Sequence, residues 1–167
     1  MDRRLLVVGL VLVPGTFRDA AAQRLQPDVP AATAALSVAA RVGGKSYQGN
    51  GSGSCRHAPE ASIHGVSAAL WMVEFTGKTG HLKRLNLTLW RPKDGAADQL
   101  SLSFDTGAGS HRIEAGGRRG NSGEASVTIL PSGPGGRLEI SGQEAGGKPV
   151  QITVDCPVFG SVEAEGG

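Results

Sequence analysis

Aromatic residues are scarce in this chain of 167 residues, which holds four Phe, two Trp and one Tyr. A site built on stacked rings therefore has few parts to draw on, chiefly Trp71 and Trp90. Charge of one sign is missing as well: 17 Lys and Arg face 15 Asp and Glu, scattered along the chain. That balance provides no electrostatic footprint for nucleic acid or an anionic membrane surface, and no such partner is expected. The one basic knot, Arg118-Arg119, sits between glycines and reads as a solvated turn. Metal signatures are absent too. The chain has no Cys-x-x-Cys, His-x-His or His-Glu-x-x-His, so no metal or other cofactor is expected. Its four histidines, His57, His64, His81 and His111, read as solvated or edge-strand residues. No long apolar run exists either: Leu5 to Val13 is under half of the roughly 20 residues that a membrane-spanning helix needs.

That short apolar run does have a context. It follows Met1-Asp-Arg-Arg4, is closed by Pro14-Gly15, and precedes the small residues Ala20-Ala21-Ala22, the layout of a signal peptide cleaved after Ala22. A buried N-terminal strand is the competing reading. Removing the segment takes Arg3, Arg4, Arg18, Asp2 and Asp19 with it and leaves a chain close to neutral. No cysteine lies near the cleavage point, so no acyl anchor is expected, and the mature chain should be soluble, with no membrane span, in the periplasm or outside the cell. About 145 residues then remain, enough for one domain with a real core. Residues 23–40 read as a flexible leader whose Ala-rich part is able to form a short helix, 41–160 as the domain, and 161–167 as a tail.

Within the domain the dominant signal has period two, which places one strand face on a core and the other in water. Leu85, Leu87 and Leu89 alternate with polar residues, as do Leu100, Leu102 and Phe104; Val127 and Ile129; and Val150, Ile152 and Val154. Weaker strands are expected at 36–42, 45–50, 53–57, 68–76, 109–115 and 137–142. The 26 glycines and nine prolines fall between these runs, as turns do in a β-protein. The pattern predicts an all-β fold, an antiparallel β-sandwich or barrel of about eight short strands.

Cys156 continues the inward series of Val150, Ile152 and Val154, whereas Cys55 lies in a strand-like piece near the start. A structural disulfide between them fits an exported domain best; free buried thiols and metal ligation are the alternatives. Three segments, Gly51-Ser-Gly-Ser-Cys55, Leu138-Glu-Ile-Ser-Gly142-Gln-Glu-Ala-Gly146 and Val150-Gln-Ile-Thr-Val-Asp-Cys156, resemble the mycobacterial LpqH-type lipoprotein antigens. In that family an early strand cysteine pairs with one in the last strand, and the resemblance implies a cell-envelope or secreted β-domain without known catalysis. The chain departs from the family in having no lipobox cysteine.

Chemistry-bearing constellations are thin. Ser110-His111 are strand neighbours that point to opposite faces and do not form a dyad. Gly49-Asn-Gly-Ser-Gly53 resembles a phosphate-cradling loop but lacks the Lys-Ser/Thr ending and reads as a strand connection or bulge. Asn50-Gly-Ser52 and Asn86-Leu-Thr88 match the glycosylation sequon by chance. The expected role is therefore non-catalytic, an interaction or structural domain whose partner is an unidentified protein or envelope component. The first alternative is a small-molecule or carbohydrate-binding domain using Trp90 and Arg91 as an exposed recognition patch, with Trp71 in the core. A hydrolase or metalloenzyme ranks below it, since His57, His64 or His111 would have to meet Glu60 or Glu114 in one cleft.

Overall fold

The structure is a computed structural model and describes residues 33–117 and 122–162. The signal segment 1–22, residues 23–32 of the leader, Arg118-Arg119 and the tail from 163 on lie outside the described residues. Nine strands follow one another: β1 (Ala34–Val42), β2 (Lys45–Ile63), β3 (Val66–Gly80), β4 (Leu82–Pro92), β5 (Gln99–Thr106), β6 (Gly109–Ala115), β7 (Gly123–Ser132), β8 (Gly135–Glu144) and β9 (Pro149–Cys156). The domain thus starts earlier than expected, because β1 claims most of the leader's Ala-rich stretch. Leu36, Val38 and Ala40 alternate with Ala35, Ser37 and Ala39, and between two strands that pattern is worth more as a buried row than as a short helix. The expected pieces at 45–50 and 53–57 are one long strand.

All nine strands lie in a single sheet, ordered β6-β5-β4-β3-β2-β1-β9-β8-β7, with every neighbouring pair antiparallel. The sheet curls into a nearly closed barrel. Eight antiparallel steps separate the two edge strands, so β6 and β7 run in the same direction and meet at a seam. Single bonds staple that seam: the Ser122 N–H donates to the Glu114 carbonyl at 3.0 Å, and the His111 Nδ1 lies 3.0 Å from Glu144 Oε1.

The inward faces fill the barrel. Phe75, Leu85, Leu87, Leu89, Leu102, Phe104, Ile113, Leu138, Ile140 and Ile152 are all buried there, and every one of the four strongest sequence alternations supplies its apolar members to this core. The outward positions are polar: Asn86, Ser101, Ser126, Thr128, Ser141 and Gln151 are exposed. A membrane-spanning barrel carries the opposite arrangement, with its apolar residues outward.

One corner binds β2 to the chain leaving β9, on either side of β1. β1 begins opposite Gly53, so β2 beyond that point lacks a neighbour on this side. The chain leaving β9 takes the place: the Gly160 N–H donates to the Cys55 carbonyl and the His57 N–H to the Gly160 carbonyl, both at 2.9 Å. The disulfide Cys55–Cys156 closes the same corner across a sequence separation of 101, with both cysteines buried.

Candidate functional site

Three inward rows change character as they reach the barrel end beside this corner. On β4 the row Leu85, Leu87, Leu89 ends in Arg91, on β3 Phe75 and Val73 are followed by Trp71, and on β2 Cys55 is followed by His57. Register brings these terminal residues together, since His57 pairs with Trp71 and Trp71 with Leu89. The His57 and Trp71 rings stack with centroids 4.5 Å apart and planes 11° from parallel. Phe159, carried in by the segment after β9, meets His57 edge-on at 6.1 Å. From the other side of β3, the Arg91 guanidinium sits 5.4 Å from the Trp71 ring centroid, within the range of a cation–π contact.

Arg91 is held along the Nε–Nη2 edge of its guanidinium. Its Nε donates to both Asp98 carboxylate oxygens at 3.1 Å, its Nη2 donates to Asp98 Oδ2 at 2.8 Å, and Nη2 also donates to the Val127 carbonyl of β7 at 3.1 Å. The hydrogen bonds to Asp98 hold the guanidinium charged, with its pKa raised. This fork gives Arg91 a mechanical task, tying β4 through the β4–β5 loop to an edge carbonyl of β7 at the seam. His57 differs. Desolvation by burial pushes its imidazole below the ordinary value, so it sits neutral in the stack at pH 7. The cluster packs rings and a paired cation at this barrel end.

The lowered His57 value makes stability pH-dependent. Below about pH 6.5 an unfolded histidine takes up a proton while the folded one resists it, so stability present above that pH is lost as the pH falls through the folded value. Thermal midpoints measured from pH 7.5 down to 5 should fall further for the natural chain than for His57→Phe, which keeps a stacking ring and cannot titrate. Parallel curves for the two proteins would overturn this account.

Trp90 and Arg91 do not form a joint patch. Neighbours on a strand face opposite ways, and Trp90 lies half-buried on the outer face, cross-strand from Leu70 and Gln99, while Arg91 turns into the barrel end. Trp71 packs against the core at its rim, partly buried. Ser110 and His111 part in the same way: Ser110 Oγ donates to Asp105 at 2.7 Å, whereas His111 stacks inside on Phe104 at 4.7 Å. His64 holds a φ of 51° beside Gly65 at 80°, the pair of left-handed residues that a two-residue hairpin turn requires. Glu60 pairs with Lys93, and Glu114 with Ser101 and Arg112. The histidines and carboxylates of the hydrolase alternative are thus dispersed over both barrel ends and the outer face. The Gly49–Gly53 stretch lies within β2, with an irregularity between Asn50 and Gly51. Among the described residues no group of three or more His, Cys, Asp or Glu is placed to hold a metal ion.

The outer surface carries concave features among the described residues. A groove of about 560 Å³ crosses β7, β8, β9 and β1, walled by Ala35, Leu130, Pro131 and Pro157, with the Arg137–Asp155 ion pair among its lining residues at 2.7 Å. Leu130 and the neighbouring Val158 are the large hydrophobic residues left exposed among the described residues. No protein-family model matches this chain, and no curated protein or solved structure shows significant similarity to it.

Proposed function

We propose that the protein is an exported, disulfide-clasped β-barrel of the cell envelope or extracellular space that acts by binding through its outer surface and performs no chemistry of its own. The observation that carries this reading is the filled interior: leucines, isoleucines and two phenylalanines occupy the volume in which a ligand-carrying barrel of similar size keeps its cavity. Recognition then falls to the outside, where the groove beside Leu130 and Val158 offers apolar contact. The clasp at Cys55 and Cys156 suits an oxidising compartment, and the resemblance to LpqH-type antigens points the same way.

Two measurements test the two halves. Intact mass of the chain recovered from an expressing bacterial host should begin near Gln23 and gain two alkyl groups only after reduction; an uncleaved chain whose thiols alkylate without reduction overturns export. Titration with long-chain fatty acids should leave tryptophan fluorescence unchanged. Saturable quenching that the interior substitution Leu87→Ala alters would place a ligand inside the barrel and overturn the outer-surface half.

A further inference from the structure

A second concavity, about 500 Å³ in volume, lies on the outer face of β2, β3 and β4. Its walls are a grid set by register: Ser52, Thr76 and Arg84 are direct cross-strand partners in one row, and Ser54, Glu74 and Asn86 in the next. Strands lie about 4.8 Å apart and same-face residues along a strand about 6.8 Å apart, so six polar side chains cover an area the size of one or two sugar rings. Beneath the grid Gly51 and Gly53 lie pressed against β3, and the β2–β3 register shifts between Asn50 and Gly51.

The chemistry of the grid is selective. Among the described residues the side chains of Ser52, Ser54, Thr76 and Asn86 have no hydrogen-bond partner, leaving three hydroxyls and an amide to donate and accept. Both arginines at the cleft have carboxylate partners: Arg56 Nη2 donates to Glu74 Oε1 at 2.9 Å, and Arg84 lies 3.9 Å from Asp105. With Glu74 at the centre of the grid and each cation matched, an anion meets a carboxylate and no spare positive charge. Groups that donate and accept at once fit better, and a sugar's ring of hydroxyls is such a set: they donate to Glu74 Oε2 and the serine oxygens and accept from the Asn86 amide and the guanidinium N–H groups.

We infer that this cleft is a binding site for a neutral saccharide. The inference rests on the outer-surface reading above and names its ligand class. Among the described residues no aromatic ring faces the grid, Phe75 behind it being buried in the core, so binding is by hydrogen bonds and on the order of millimolar.

The test is two-dimensional amide NMR of the full chain titrated with the neutral disaccharides maltose, cellobiose and trehalose, with inorganic phosphate as the control. Saturable shifts confined to residues 52–54, 74–76 and 84–86 are expected with at least one sugar and not with phosphate. Glu74→Ala and Asn86→Ala, both at exposed positions, should each weaken that binding tenfold or more without moving the thermal midpoint. Silence at those amides with every sugar, or equal shifts with phosphate, overturns the saccharide site and leaves the outer-surface reading standing. Shifts centred on Leu87 and Phe104 would overturn both.

Discussion

Replacing Cys55 and Cys156 together with alanine is expected to lower the unfolding free energy by about 4–5 kcal/mol, the chain-entropy value for a bridge that closes a loop of this length. For a domain of this size that corresponds to a thermal midpoint lower by on the order of 15 °C. The bridge fixes a junction at which few other bonds act. β1 stops opposite Gly53, and past that point only the two backbone bonds through Gly160 join β2 to the chain leaving β9. Urea unfolding of the natural chain, of the same chain under reducing conditions, and of the double variant measures the effect. Reduction and substitution should agree to within the cost of the small cavities the lost sulfurs leave. A loss below about 1 kcal/mol in both would mean that the Gly160 bonds, each worth about that much, hold the corner unaided.

The second large effect is expected at Gly53. A Cβ built there would lie 2.0 Å from the Glu74 carbonyl oxygen and 2.7 Å from Leu36 Cδ1, far inside any contact that real side chains make. The carbonyl belongs to the backbone of β3, so it cannot rotate away as a side chain would, and the two central strands must part for Gly53→Ala to fold. We expect a loss of about 3 kcal/mol or more, at or above the upper end of overpacking substitutions. Gly107→Ala is the control: its added carbon would meet nothing closer than His81 Nδ1 at 3.7 Å, and it should change stability by less than about 0.5 kcal/mol. Equal midpoints for the two variants would show that β2 and β3 are not in the tight approach described.

These glycines also mark where the sequence was hard to read. Strands β4, β5, β7 and β9 were legible because leucine, isoleucine, valine and phenylalanine alternate in them, and hydropathy reports which face is buried. In β2 the inward positions include Gly49, Gly51 and Gly53, which carry no hydropathy, so one strand of 19 residues looked like two short ones beside a loop. The choice between sandwich and barrel depends on the β1–β9 pairing and on the meeting of β6 with β7, contacts between residues far apart in the chain that no local pattern records. The pairing of Cys55 with Cys156 was readable because parity placed Cys156 inward. Parity applied equally to Trp90 and Arg91 separates them, as it does Ser110 and His111. The stack of His57 on Trp71 and the fork of Arg91 on Asp98 needed the β2–β3–β4 register and the shape of the β4–β5 loop, and neither residue pair has a spacing that announces it.

The corner at Cys55 and Cys156 also decides how the barrel bears tension. A pull transmitted along the chain from Thr33 to Gly160 runs through β1 and the first part of β2, crosses the disulfide, and leaves by the segment after β9. The residues between the two cysteines are bypassed. Under load the intact protein lengthens to roughly 90 Å, against roughly 450 Å for the reduced chain at about 3.5 Å per residue, so β3 to β8 are shielded from a pull applied at this corner, whereas Ser52 and Ser54 of the cleft lie on the loaded stretch of β2.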